Sequence, residues 1–287
     1  MERRKKTLQE LTIKDNFMFV AVMTDPENAK GMLELILDVE IDHVEVCYEK
    51  SIIFNPECKG IRLDVYIKDD KGTHFDVEMQ VANEKLLRRS RYYHSQIDMD
   101  LLSTGMKYEE LPEAYVIFIC DYDPIGLGKY KYTRKQIFEE DDSYEYDDGS
   151  HTIFLSTKGT NDDEVPEALV HFLKYVGAER GEADKDYSDV FVKRLQKSVT
   201  KIKFDRGMEV RYMHFAEIMR DEYKAGKREG EKETFQRSII GFLTDIAPIS
   251  DHLRDRILSV DDLDTLNMLL KKAARVSSLE EFEKIEF

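Results

Sequence analysis

The chain has 287 residues, with 43 Lys and Arg against 59 Asp and Glu, a formal net charge of −16, 41% hydrophobic and 10% aromatic residues. That is too aromatic for whole-chain disorder and supports a sizeable core in one large domain or two ordinary ones. The acidic balance argues against a passive nucleic-acid coat, and no apolar run approaches the ~18 residues of a membrane span.

The MERRKK start carries charge but no apolar h-region, so it does not read as a secretory signal. Cys47, Cys58 and Cys120 are odd in number and far apart, which fits neither a disulfide framework nor a zinc knuckle and points to a reducing cytoplasm. Residues 12–23 read as a helix with Thr12 placed to cap. Asp25-Pro26 opens a second helix carrying Met32, Leu33, Leu35, Ile36 and Leu37. Residues 43–54 alternate like a strand. Residues 61–68 and 73–81 are two alternating strands around Asp69-Asp70-Lys71-Gly72, a strong hairpin signal. A helix without Gly or Pro follows over 84–104. The run AYVIFIC (114–120) reads as a fully buried strand, and HTIFLS (151–156) as another.

Beyond this point helices predominate, over 165–176, 188–203 and 207–224. AGKREGEKE (225–233) breaks the apolar pattern and reads as a charged linker at 226–234 or as a solvated helical joint. Residues 235–287 give short amphipathic helices, with Phe235, Ile239, Phe242, Leu243 and Ile246 on one stripe and Ser250 and Ser278 as N-caps. EEDDSYEYDD (139–148) reads as a solvated loop.

The chemistry concentrates in the hairpin. The row Ile61, Leu63, Val65, Ile67 and the row Phe75, Val77, Met79, Val81 must be buried together, which sends Asp64, Asp76, Glu78 and Gln80 to a common face. If Lys68 pairs with His74, Asp64 faces Glu78. Opposed side chains have Cβ atoms roughly 4.5–5.5 Å apart, so two carboxylates there repel unless a cation or proton offsets them. A two-residue slip would oppose Asp64 to Gln80 and leave Glu78 diagonal. A hard divalent cation, Mg²⁺ or Mn²⁺, suits such oxygen donors, and the site suits phosphodiester hydrolysis, with Gln80 able to orient a water. The same spacing also fits a solvated sheet face.

These stretches resemble the PD-(D/E)XK nuclease superfamily, specifically the recombination-promoting nucleases also described as transposases. LTIKDNFMF is similar to the family's opening, GIRLDVYIKDDKGTHFDVEMQ to its catalytic hairpin, RRSRYYHSQIDMDLLSTGMKYEELP with AYVIFIC to its helix, Gly-x-x-Tyr turn and next strand, and the Glu-Gly run after Lys224 to its tail. The resemblance covers roughly residues 8 to 225. It implies an α/β, restriction-endonuclease-like core, a mixed sheet flanked by helices, elaborated with helices after about 160 and extended by a small helical region at 235–287. It implies a Mg²⁺-dependent DNA endonuclease of recombination or mobile-element processing, with Mn²⁺ as substitute, DNA as partner, no membrane, and a homodimer if two DNA ends are handled. Asp64 and Glu78 match the metal-binding acids, and Gln80 stands at the motif's Lys position, removing a positive charge. Leu63 stands where the motif names a Pro. Asp15 matches an early acid that could complete the metal site, although Thr12-x-x-Asp15 is also a capping-box-like pattern. A weak or inactive relative that binds DNA or protein is the alternative.

Two basic clusters could meet phosphates, or could be solvated helix faces. One is Lys85, Arg88, Arg89 and Arg91, and the resemblance favours Arg91 in it together with Gln96. The other is Lys193, Arg194, Lys197, Lys201, Lys203 and Arg206.

Overall fold

The computed structural model describes residues 6–52 and 59–287. The MERRK start, the last two residues of the expected 43–54 strand and Cys58 lie outside them. The chain divides into two units, the first running to Tyr212 and the second Met213–Phe287.

In the first unit the expected helices and strands form, with shifted ends. Helix α1 is Asn16–Met23. Asp15, not Thr12, takes its N-cap position, and the Asp15 carboxylate turns back to accept the Thr12 amide at 2.8 Å. Helix α2, Pro26–Leu37, starts as the Asp-Pro signal requires, with the Asp25 side chain accepting the Glu27 amide at 3.0 Å. Strands β1 (Val44–Ile52), β2 (Ile61–Asp69) and β3 (His74–Gln80) make an antiparallel meander. The β2–β3 turn is closed by Asp69, whose Oδ1 accepts the Lys71 and Thr73 amides, and Gly72 takes a φ of 86° that a side chain would resist.

Helix α3 is Leu86–Leu101, and β4 is Ala114–Cys120, parallel to β3. Short strands β5 (Lys131–Arg134), β6 (Gln136–Phe138) and β7 (Asp141–Tyr146) precede β8, Ser150–Ser156. The six-stranded mixed sheet has the order β1-β2-β3-β4-β8-β5. The acidic stretch at 139–148 is therefore not a plain loop: most of it belongs to a separate β6–β7 hairpin. Charge masked the strand pattern there, while the Phe138 and Tyr146 rings still meet across the hairpin at 5.5 Å.

Every residue of β3 is buried, so its polar face is covered rather than solvated. The cover is α3, whose Leu86, Tyr93 and Ile97 share one apolar cluster with Tyr66, Val116, Phe118 and Phe154. Val65, Ile67, Phe75, Val77, Ile117 and Ile119, of opposite parity, are equally buried. Helices α1 and α2 contact β1 and β2 there, and α4 (Glu167–Val176) and α5 (Val190–Phe204) stack on them.

Helix α6, Arg206–Ile246, continues through 226–234, so of the two alternatives there the stretch is the helical one and not a linker. Gly226 and Gly230 stay helical there, with ion pairs one turn apart, Lys227–Glu231 at 3.7 Å and Lys232–Glu229 at 3.2 Å. The second unit has its own core: Ile239 and Leu243 of α6 pack with Leu253 and Ile257 of α7 (Asp251–Leu258), Leu266 and Leu269 of α8 (Leu263–Ala273), and Phe282 of α9 (Leu279–Glu283). Ser250 and Ser278 cap as expected. Phe242 and Ile246 leave the expected stripe and face solvent.

Candidate active site

The hairpin adopts the first of the two registers considered, with Lys68 opposite His74 and Tyr66 opposite Asp76. The backbone ladder stops at Val65–Val77, one pair before Asp64 and Glu78 would meet. The two carboxylates accept the amides exposed there. Glu78 Oε1 accepts the Asp64 amide at 3.0 Å, and Asp64 Oδ2 accepts the Met79 amide at 3.2 Å. Each acid is thus held by the other's strand, which fixes both carboxylates at the end of the sheet.

Burial raises the Asp64 pKa, and the charges of Arg89 and Arg62 oppose it. Burial, and then the Asp64 charge, pushes Glu78 up to about 8. Asp76, on the same face, is fully buried, and neither of its oxygens has a hydrogen-bond partner among the described residues. Burial and the neighbouring Glu78 and Asp64 charges raise its pKa as well.

One cation answers these acids. Arg89 donates from Nη2 to Glu78 Oε2 at 2.7 Å and from Nη1 to Gln80 Oε1 at 3.0 Å. Its Nε and Nη2 also donate to the Tyr93 hydroxyl at 3.0 and 2.6 Å. Gln80 Nε2 reaches Glu78 Oε2 at 3.3 Å. Helix spacing explains the choice of arginine. Arg89 and Tyr93 are four apart on the face that packs on the sheet, whereas Arg88 and Arg91 point outward and are exposed. Gln96 lies seven residues after Arg89 on that inner face and is 7% exposed, so it is not a surface contact for DNA. A positive charge from α3 therefore stands beside Gln80. The sequence offered Arg89 only as one of a basic cluster; its four-residue spacing to Tyr93 was the available signal.

Asp15 is not brought to the acids as a third member. Its Oδ1 pairs with Lys6 at 2.7 Å and its Oδ2 with Thr12, because the capping geometry turns the side chain back. The next residue, Asn16, acts on the Asp64 carboxylate instead and opposes the rise in its pKa. Sequence reasoning passed over Asn16. Its position is set by Lys14, which binds Asp121 at 2.9 Å and Glu179 at 2.8 Å, while the Asp121 amide donates to the Gln80 carbonyl at 2.9 Å. The start of α1 is thereby tied to the edge where β3 ends.

Three carboxyl groups share one face, with Arg89 bonded to Glu78 and the more distant charge of Arg62 also acting on Asp64. The orphaned Asp76 and the all-oxygen donors suit a hard divalent cation. Among the described residues no three His, Cys, Asp or Glu side chains are placed to hold one ion together. Asp64 and Glu78 are the pair that could, with water and phosphate oxygens completing the shell.

A mixed α/β sheet ends in paired acids beside a Gln and a cation, an arrangement compatible with a nuclease fold. Comparison with protein-family models matches residues 14–228 to the PD-(D/E)XK nuclease family transposase. The chain belongs to that family. Searches of curated proteins and of solved structures found no match. Among the described residues no helix is long and apolar enough to cross a membrane.

Proposed function

We propose that this chain is a Mg²⁺-dependent DNA endonuclease, with Mn²⁺ as substitute, that acts in recombination or mobile-element processing. The observation that carries the reading is the exchange of hydrogen bonds between Asp64 and Glu78 at the end of the hairpin ladder. It preorganises two carboxylates that would otherwise repel. Hydrolysis joins a water oxygen to phosphorus, breaks one P–O bond to a sugar and gives the leaving oxygen a proton. A divalent cation held by Asp64 and Glu78 would polarise a phosphoryl oxygen and acidify the attacking water. Gln80 orients that water through its amide. Arg89, already on Glu78 and Gln80, presents positive charge to the scissile phosphate, the task the motif's Lys performs elsewhere. Asn16 favours the ionised form of Asp64 against the effect of burial. Arg88 and Arg91, exposed on α3, suit contacts to the flanking backbone.

The test is cleavage of supercoiled and linear DNA in Mg²⁺ and in Mn²⁺, with Asp64→Asn as control. The reading expects cleavage by the native chain and none by the variant; wild-type rates in the variant would remove the mechanism. Gln80 in place of Lys favours a second reading, a relative that binds DNA or protein without cutting. Salt-dependent DNA binding with no cleavage in either metal would support it.

A further inference from the structure

Acids outnumber bases in the chain by 59 to 43, yet α5, VFVKRLQKSVTKIKF, holds Lys193, Arg194, Lys197, Lys201 and Lys203 and no acid. The helix has two distinct sides. Val192, Leu195 and Val199 are buried against the first unit. Opposite them, Lys193, Gln196, Lys197, Thr200 and Lys201 line a shallow, open groove. Lys193 pairs with Asp186 at 3.0 Å, and Arg194 donates to the Glu27 carbonyl at 3.2 Å. Lys197 and Lys201 are exposed and have no ion-pair partner among the described residues.

We infer that this side of α5 is a contact surface for the sugar–phosphate backbone of duplex DNA. Lys193, Lys197 and Lys201 recur every four residues, about 6 Å apart, and span about 12 Å. That length covers roughly three or four phosphates of one strand, at 3.4 Å each along the duplex axis. Lysine ammoniums act as point charges, so the surface positions DNA without reading its sequence. The inference rests on the reading of the chain as a DNA enzyme and names the surface that holds the substrate outside the reacting centre.

The experiment measures DNA affinity against salt for the full chain, using a random-sequence 30-mer duplex in an Asp64→Asn background to prevent cleavage. K193Q/K197Q/K201Q is compared with K271Q/K272Q/R275Q, an equal charge change on exposed residues at the end of α8. The α5 variant should lose about 2–3 from the slope of log affinity on log salt, and at least about tenfold in affinity near 0.1 M salt. The α8 variant should retain the parent slope. Circular dichroism spectra matching the parent show that both variants fold. Equal slopes in the two variants, with the parent binding DNA, overturn this inference alone. No binding by the parent or by the native chain at low salt overturns it together with the DNA reading.

Discussion

The Asp64 amide donates to Glu78 Oε1 at 3.0 Å, and Asp64 Oδ2 in turn accepts the amide that follows Glu78, that of Met79, at 3.2 Å. Each carboxylate therefore both closes the hairpin and presents itself at the sheet edge. The structural half of this work needs only an acceptor oxygen, which an amide retains. Asp64→Asn should keep the circular dichroism spectrum and lose more than about 100-fold in metal-dependent cleavage rate. A variant that unfolds, or one that cleaves normally, would contradict this division of labour.

Glu78 titrates near 8 in the folded chain because burial and the Asp64 charge oppose ionisation. Its unfolded value is 4.5. Between these the folded state binds more protons than the unfolded one, so this group's contribution to stability is complete below pH 4.5 and is lost as pH rises through 8. Glu78→Gln removes the titration. Its melting temperature should exceed that of the native chain by several degrees at pH 8.5, with the gap closing toward pH 5. Thermal melts across that range check the sign.

Cation binding needs ionised carboxylates, so protons compete with it. Millimolar Mg²⁺ or Mn²⁺ should raise the melting temperature more at pH 8.5 than at pH 6, and the effect should vanish in Asp64→Asn and Glu78→Gln. The acid limb of the cleavage profile should move to lower pH as metal concentration increases. A limb independent of metal would argue against Glu78 as a ligand.

Arg89 pairs with a carboxylate whose side chain is 1% exposed, while its own side chain is 30% exposed. Removing one partner of such a pair leaves a buried charge uncompensated. Arg89→Met should cost about 3 kcal/mol at pH 8.5, and Glu78→Gln in the same chain should recover much of that. Urea unfolding of the four chains of the cycle measures the coupling; additive effects would show that the pair is energetically silent.

Gln80 Oε1 already accepts from Arg89 at 3.0 Å. Gln80→Lys would set a second cation against that guanidinium, so it should not accelerate cleavage in the native background. With Arg89→Gln present, the new lysine should restore part of the lost rate. Faster cleavage by Gln80→Lys alone would show that Arg89 does not fill the lysine's role.

The hairpin was readable because its information is local. Strict alternation, Asp69 before Lys71-Gly72 and two apolar rows that had to share a face left two registers, and burial with turn geometry selected one. The caps at Asp25, Ser250 and Ser278 were readable for the same reason, since one side chain satisfies a nearby amide. Where local signals conflicted, the sequence was less decisive. Acidic charge concealed the β6–β7 hairpin, and glycines in a charged run left a linker and a helical joint both open where α6 continues.

The sequence by itself placed Asp64, Glu78 and Gln80 on one face at the end of a hairpin, through alternation and a local turn. Only the tertiary structure decided what surrounds them. Which arginine of the cluster reaches Glu78 depends on the rotation of α3 over the sheet, and that rotation is set by packing of Leu86, Tyr93 and Ile97. Whether Asp15 or Asn16 meets Asp64 depends on where Lys14 ties the start of α1, through partners 107 and 165 residues away. Side chains brought together across such separations leave no periodicity in the chain, because their spacing is fixed by packing between elements and not by the geometry of any one of them.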